Sequence, residues 1–165
     1  MADYFDISEN MGTAVAGLAI NVKERIPALA QAALEVGSFV TLGTAQDSCA
    51  LPDAAGDVTE TGLGIVERQT FKPDGSSDDY DSGEMVSIVR KGKVWVPVED
   101  SATAGQHPFV RITAKGSPGA NEALGRFRSD ADGADSGVAT EQTECKFWTS
   151  QATAGGLALV EINLP

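Results

Sequence analysis

Short runs of β-branched and aromatic residues, separated by glycine, proline and polar residues, dominate the chain from Ser38 to its end. Runs of this length, with apolar and polar positions alternating, are typical of half-buried strands. They predict about seven or eight strands. The strand residues are 38–44, 62–72, 86–98 (two arms), 107–114, 124–129, 144–151 and 156–165. The predicted fold is therefore all-β, a small antiparallel β-barrel or β-sandwich.

The stretch VSIVRKGKVWVPVED, Val86 to Asp100, has the strongest hairpin pattern. Aliphatic residues alternate along both arms. A tight turn is predicted at Lys91-Gly92, because glycine accepts the positive φ that such a corner requires. This turn is expected to gather the positive charges of Arg90, Lys91 and Lys93 at its tip.

The first 36 residues differ from the rest, with few strand signals and many alanines. The segment PALAQAALE, Pro27 to Glu35, predicts a short helix, since proline suits the first helical position and Gly37 follows its end. Upstream, apolar residues without a clear period lie among charged ones and predict an arm; they are Tyr4, Phe5, Ile7 and Met11. The predicted organisation is an N-terminal arm with one short helix in residues 1–36 and a β domain in residues 37–165.

Length and charge narrow the class of protein. The chain has 165 residues, a mass of 17.1 kDa and 42% hydrophobic residues, which suffices for one domain with a core. Its formal net charge of −12 repels phosphate backbones and anionic lipids, so neither nucleic acid nor a membrane is an expected partner. Such acidity usually increases solubility. The alternative explanation is that the protein binds a cationic protein partner.

The apolar run from Ala14 to Ile20 is too short to cross a bilayer. It follows acidic residues and lacks the positive region that precedes the core of a signal peptide. The sequence thus predicts synthesis in the cytoplasm.

The residues available for chemistry are few. His107 is the single histidine, and no serine lies in a G-x-S-x-G motif. Cys49 and Cys145 are too few for a zinc site and predict two buried thiols in a reducing compartment, with one bridge as the alternative. Gly62-Leu63-Gly64 lacks the third glycine and the helix of a nucleotide-binding loop, so these glycines indicate a strand packed tightly against a neighbour. Neither a catalytic site nor a cofactor is predicted.

Two acidic segments, residues 73–84 and 130–135, raise the question of a metal site. Neither has the spacing of a calcium-binding loop, so solvated carboxylates are expected, with weak calcium binding as the alternative. The two tryptophans leave two interpretations open. Either Trp95 and Trp148 are both buried in the core, or one of them anchors an interface, where aromatic residues concentrate.

Four segments taken in order carry a resemblance to a known family: SGEMVSIVRKGKVWVPVED, AGQHPFVRIT, LGRFRSDADG and GGLALVEINLP. Their order and spacing resemble the cement, or decoration, proteins of tailed-bacteriophage heads, over residues 36–165. In that family a hairpin of the Arg/Lys-Gly-x-hydrophobic-Trp-Val type precedes a strand with the AG…V.R pattern. A strand similar to LAxVEINLP closes the chain.

The resemblance implies a structural role in the virion. Family members are compact β modules that bind the outer surface of a phage head as small homo-oligomers, dimers or trimers, and clamp neighbouring subunits of the major capsid protein. They are not enzymes and need no cofactor or metal. The residues expected to contact the capsid or a sister subunit are those of the arm and the hairpin, namely Tyr4, Phe5, Ile7, Met11, Arg90, Lys91, Lys93 and Trp95.

Two other classes of function remain as alternatives. A β-sandwich that binds carbohydrate or a receptor is expected to carry exposed aromatics over a groove. An enzyme is less consistent with the sequence, because no catalytic constellation is visible.

Overall fold

The structure is a computed structural model and describes residues 14–68, 79–114, 122–132 and 139–165. The predicted arm residues Tyr4, Phe5, Ile7 and Met11 lie outside these ranges. Within them the chain forms ten strands and one helix. The strands are β1 (Ala19–Ala30), β2 (Phe39–Leu42), β3 (Ser48–Ala50), β4 (Gly62–Val66), β5 (Met85–Pro97), β6 (Phe109–Arg111), β7 (Phe127–Arg128), β8 (Ala139–Glu141), β9 (Cys145–Phe147) and β10 (Leu157–Asn163). The helix α1 is Ala55–Thr59.

The strands form a large sheet of seven and a small sheet of three, so the all-β prediction is confirmed. The large sheet has the order β1-β3-β2-β4-β5-β10-β9, and β1 also pairs with β5, so five of its strands form a closed circuit of pairings. The pairing of β1 with β3 is parallel, whereas the other pairings are antiparallel. The small sheet has the order β7-β6-β8.

The hairpin predicted in residues 86–100 is wrong. Met85–Pro97 is one continuous strand, and β10 pairs with it from Pro97 to Lys91 without a break, straight across Gly92. Gly92 has a φ of 152°, yet it marks a close approach to β1 instead of a corner. The alternation of aliphatic residues was the correct signal for a strand. The Lys-Gly pair was misread, because long-range pairing on both sides holds the strand straight.

The helix predicted from Pro27 to Glu35 is also wrong. Residues 19–30 form the longest neighbour of β5, with pairs from Ala19↔Val94 to Leu29↔Met85. Exposed and buried positions alternate at the end of this strand, where Ala28 and Ala30 are buried and Leu29 is exposed. Tertiary pairing overrides the weak helical preference of the alanines. Residues 19–30 therefore belong to the large sheet and not to an arm.

Two hydrophobic cores lie on opposite faces of β2, β4 and β5. On β2, Phe39 belongs to the first core and Val40 to the second; on β4, Ile65 and Val66 divide in the same way. The first core also receives the small sheet, where the ring of Phe127 meets that of Phe39 edge to face at 6.3 Å between centroids. Because β2 and β4 lie between the two cores, their sequences are largely apolar, whereas β5 lies between both cores only at residues 86–89.

A buried ionic cluster fastens the small sheet to the end of β5. The guanidinium of Arg111 on β6 is fully buried and donates two hydrogen bonds to Glu99, at 2.5 and 2.7 Å, and one to Asp132 at 3.0 Å. Arg128 on β7 donates to the same Glu99 carboxylate at 3.1 Å. These bonds to Glu99 and Asp132 raise the pKa of Arg111 above its usual range. Two arginines and two carboxylates thus neutralise one another where the two sheets meet.

The described ranges contain a single helix of five residues, and none there has the length and apolar character needed to span a lipid bilayer.

Candidate functional site

The outward face of β5, β10 and β9 is organised as rows that cross the three strands. On the other face, Val94, Val96, Val160 and Phe147 are buried in the first core, so the residues that alternate with them point outward. The register aligns Glu161 with Lys93 on one side and Lys146 on the other. We call this surface the lysine face; its residues are Lys91, Lys93, Trp95, Lys146, Trp148, Leu159, Glu161 and Asn163.

One row of the lysine face is apolar. Trp95 pairs with Leu159, and the backbone N–H of Trp148 donates to the Leu159 carbonyl at 2.6 Å. On the opposite edge of β5, the backbone N–H of Trp95 donates to the carbonyl oxygen of Leu18 at 3.0 Å. Leu18 and Trp148 are 42% and 53% exposed. These two residues lie at opposite ends of the row, and between them Trp95 is half-buried and Leu159 is buried. Large apolar side chains that stay exposed are a feature of contact surfaces.

Lys93 connects this apolar row to the charged one. Its Nζ lies 3.2 Å from the centroid of a Trp148 ring, so the ammonium group packs over the exposed indole. A cation–π contact of this kind is worth about 0.5–1 kcal/mol at an exposed site. The contact restrains both side chains, which favours a preformed surface over a mobile one.

A groove of about 970 Å³ crosses the charged rows. Its lining includes Lys23, Lys91, Lys93 and Lys146, which are four of the six lysines in the chain. Two glutamates, Glu144 and Glu161, also line it, so its formal charge is +2 on a chain whose total is −12. The groove is therefore a local reversal of the protein's overall charge.

A bulge in β1 builds one wall of the groove. Ile20 pairs with Lys93 and Glu24 with Lys91, so three residues of β1, numbers 21–23, lie opposite Gly92 alone. A Cβ on Gly92 would lie 2.9 Å from the Cα of Val22. Glycine is needed here because only a residue without a side chain lets the bulge fold this closely over β5.

The basic residues predicted from the sequence separate into two environments. Lys91 and Lys93 lie on the lysine face with Trp95, in the middle of a strand rather than at a hairpin tip. Arg90 contributes instead to the fold, because its guanidinium binds the carbonyl oxygen of Pro165 and lies 3.7 Å from Glu24. Glu24 also pairs with Lys91 at 3.3 Å.

The sequence does not predict Lys146 on this surface, nor two residues beside it, Leu18 and Lys23. Lys146 and Trp148 alternate with the buried Cys145 and Phe147, and this alternation was the available signal for an outward pair. For Leu18 and Lys23 the sequence offers no local signal, because residues 1–36 contain few features typical of strands. The interpretation that buried both tryptophans is wrong for Trp148, which is exposed.

The side chains that often carry chemistry are buried or hydrogen-bonded to the backbone. Cys49 and Cys145 are free and buried, and burial raises the pKa of the Cys49 thiol to about 11. His107 lines the groove, and its Nδ1 lies 2.8 Å from the Cys145 carbonyl oxygen. Across the described ranges, no three His, Cys, Asp or Glu side chains form a group able to hold a metal ion. What this surface offers is contact area and charge.

An all-β chain with a preformed aromatic and basic face defines a protein that works through a contact surface. Residues 5–163 match the family model described as structural cement protein (E217 gp24/Pam3 gp6). The chain therefore belongs to this family of phage cement proteins. It is a structural protein of the virion that binds the capsid and stabilises it. The predicted family resemblance is confirmed, which selects this role over a carbohydrate- or receptor-binding module.

A solved phage capsid structure contains a chain with the same fold. A chain from "The capsid of Myoviridae Phage XM1" matches with a TM-score of 0.64 and 20% identity, covering 90% of this chain and 89% of that one. A weaker match, to the structure titled "The crystal structure of head fiber gp8.5 N base in bacteriophage phi29", has a TM-score of 0.43 and 13% identity over 85% of this chain and 93% of that one. A comparison with curated protein sequences finds no match.

Proposed function

We propose that the protein is made in the host cytoplasm, binds the outer surface of the phage head as a homo-oligomer, and clamps neighbouring subunits of the major capsid protein. The observation that carries this proposal is the lysine face, where Lys93 packs over the exposed Trp148 in a member of the cement family. Aromatic side chains held in place at a surface lose little entropy on binding and commonly dominate interface energies. The work is mechanical and needs no bound cofactor.

The architecture suits a clamp. The circuit of strand pairings and the buried ionic cluster make the module stiff, so little binding energy is lost in ordering it. A protein that binds only the assembled shell stabilises that shell by mass action, and many copies add their effects. The acidic remainder of the surface keeps decorated particles from adhering to one another.

Mixing the purified protein with bare heads and imaging the particles tests the proposal. Regular density on the outside of the shell, at junctions between capsomers, is the expected result. Density within the shell, or none, would contradict it. A Trp148→Ala variant should decorate heads at lower occupancy, whereas Met85→Ala removes an equally exposed side chain, 58% accessible, from the far end of β5 and should not.

The arm is tested separately by deleting residues 1–13. A longer deletion would damage the sheet, because the N–H of Gly17 donates to the Trp95 carbonyl at 2.7 Å and β1 begins at Ala19. Reduced occupancy with an unchanged far-UV circular dichroism spectrum would support contacts from Tyr4, Phe5, Ile7 and Met11. Full occupancy would show that the arm does not contribute to binding of the head.

The oligomeric state is tested by light scattering coupled to size-exclusion chromatography. A dimer or trimer in solution, or on the head, agrees with the proposal. A monomer under both conditions would contradict it.

A further inference from the structure

The groove on the lysine face carries more lysines than carboxylates, and three of its four lysines form no ion pair among the described residues. Among the described residues, Lys23, Lys93 and Lys146 form no ion pair, although Glu161 lies between Lys93 and Lys146 in the strand register. Lys91 does have a partner, Glu24. Three ammonium groups are therefore available to a ligand, on a protein that is acidic overall.

The size of the groove indicates the kind of ligand that fits. It extends across β5, β10 and β9, and three adjacent strands span roughly 10 Å because neighbouring strands lie about 4.8 Å apart. An extended peptide covers that distance in about three to four residues. The volume of about 970 Å³ is larger than a single inorganic anion needs. The exposed Trp148, held under Lys93, adds an apolar position beside the charged ones.

We propose that this groove receives a carboxylate-rich segment exposed on the major capsid protein. The inference rests on the proposed function and specifies its chemistry. Lysines of the groove pair with aspartates or glutamates of the segment, while the row of Leu18, Trp95 and Trp148 takes apolar side chains next to them. Charge complementarity favours such a segment, because this groove gives a chain of net charge −12 a local surface of opposite sign at which an acidic segment can bind.

Zero-length cross-linking of decorated heads tests the assignment directly. A carbodiimide condenses a lysine amine with a carboxylate only where the two are in contact, and mass spectrometry of the digest identifies both peptides. Links from Lys23, Lys93 or Lys146 to carboxylates of the major capsid protein are expected. Links from these lysines only to carboxylates of a second copy of this chain would overturn the inference and assign the groove to self-association.

A pair of charge-matched variants supplies the second test. Lys23→Gln with Lys146→Gln removes two positive charges from the groove and leaves the contact of Lys93 with Trp148 intact. Ala45→Glu with Gln46→Glu changes the net charge equally, at the exposed turn between β2 and β3. The groove variant should need about tenfold more protein for half-saturation of heads, as expected for a loss of about 1.4 kcal/mol, and should show a weaker dependence on salt. The turn variant should behave as wild type.

The two proposals fail in different ways. If the wild-type protein does not decorate heads, the proposed function fails and the groove assignment fails with it. If Trp148→Ala lowers occupancy while both charge variants bind like wild type, the contact face stands and the carboxylate-binding groove is wrong.

Discussion

At the scale of single residues, close approach inside the large sheet explains three glycines, Gly62, Gly64 and Gly92. Gly64 on β4 has a φ of 148°, and a Cβ there would lie 2.3 Å from the Val89 carbonyl oxygen. Gly62 is similarly close to the ring of Phe39. The Gly-Leu-Gly motif thus serves strand packing, as its sequence context predicted. Gly92 does the same between β5 and the bulge of β1.

Gly92→Ala is expected to lower the free energy of unfolding by about 2–3 kcal/mol, because it adds a backbone clash with Val22 to the strain of a positive φ. Gly83→Ala provides the matched control. Gly83 also has a positive φ, 88°, but a Cβ at this position would meet no atom within 4 Å beyond its chain neighbours, so a loss of about 1 kcal/mol is expected. Urea denaturation measures both. Equal losses would show that the approach of the bulge is unimportant.

The two thiols should be inert in the folded protein. Burial raises the pKa of Cys49 to about 11 and that of Cys145 further still. Because the thiolate is the reactive form, reaction with a thiol reagent at pH 8 should be about a hundredfold slower than for an exposed cysteine. Two thiols per chain should become reactive in denaturant. Rapid reaction without denaturant would show that one of the two cores opens readily. The Cys49→Ala and Cys145→Ala variants would identify the thiol that reacts, and with it the core that opens.

At the scale of elements, β5 organises the large sheet. Its 13 residues hold β1 along one side, and β4 and then β10 along the other. Beyond its end, Glu99 anchors the small sheet through Arg111 and Arg128. β5 and the residues that follow it therefore connect the closed circuit of strands, the lysine face and the small sheet.

Glu99→Ala is expected to destabilise the protein by about 3–5 kcal/mol, since it leaves the fully buried Arg111 without its main partner. Arg25→Ala, which breaks an ion pair with Glu67 whose arginine side chain is 51% exposed, should cost at most about 1 kcal/mol. Thermal and chemical unfolding distinguish these outcomes. Similar losses in the two variants would mean that the buried cluster is dispensable for joining the sheets.

At the scale of the whole molecule, stability should decline in acid. Burial opposes ionisation of Glu67, but hydrogen bonds from Arg25 and Ser87 outweigh it and hold its pKa below 4.5. The N–H of Asp132 and the guanidinium of Arg128 likewise hold the pKa of Asp130 below 3.8. A carboxyl whose pKa is lower in the folded state contributes stability above its unfolded pKa and loses it as the pH falls through the folded value.

The free energy of unfolding should therefore be steady above about pH 5 and fall progressively below about pH 4.5. Denaturant titrations between pH 3 and pH 7 measure this dependence. Glu67→Gln should be less stable at pH 7 and should lose less on acidification than wild type. A stability that rises toward pH 3 would contradict the assigned ion pairs.

Local pattern by itself determined the all-β class and the positions of six strands, β2, β4, β6, β7, β9 and β10, because short runs rich in β-branched and aromatic residues between turn formers are typical of strands. The sequence also indicated the family, because the resemblance depends on the order and spacing of four segments along the chain. It failed at Pro27–Glu35 and at Lys91-Gly92, where local preference for a helix and a turn was the signal.

Tertiary structure decided the rest, since strand pairing joins residues that are distant in sequence. Pairing with β5 makes residues 19–30 a strand, and pairing with β1 and β10 keeps β5 straight through Gly92. The same pairings bring Lys23, Lys91, Lys93 and Lys146 around one groove. The contact surface exists only in the folded sheet, because no local stretch of the chain contains more than two of its lysines.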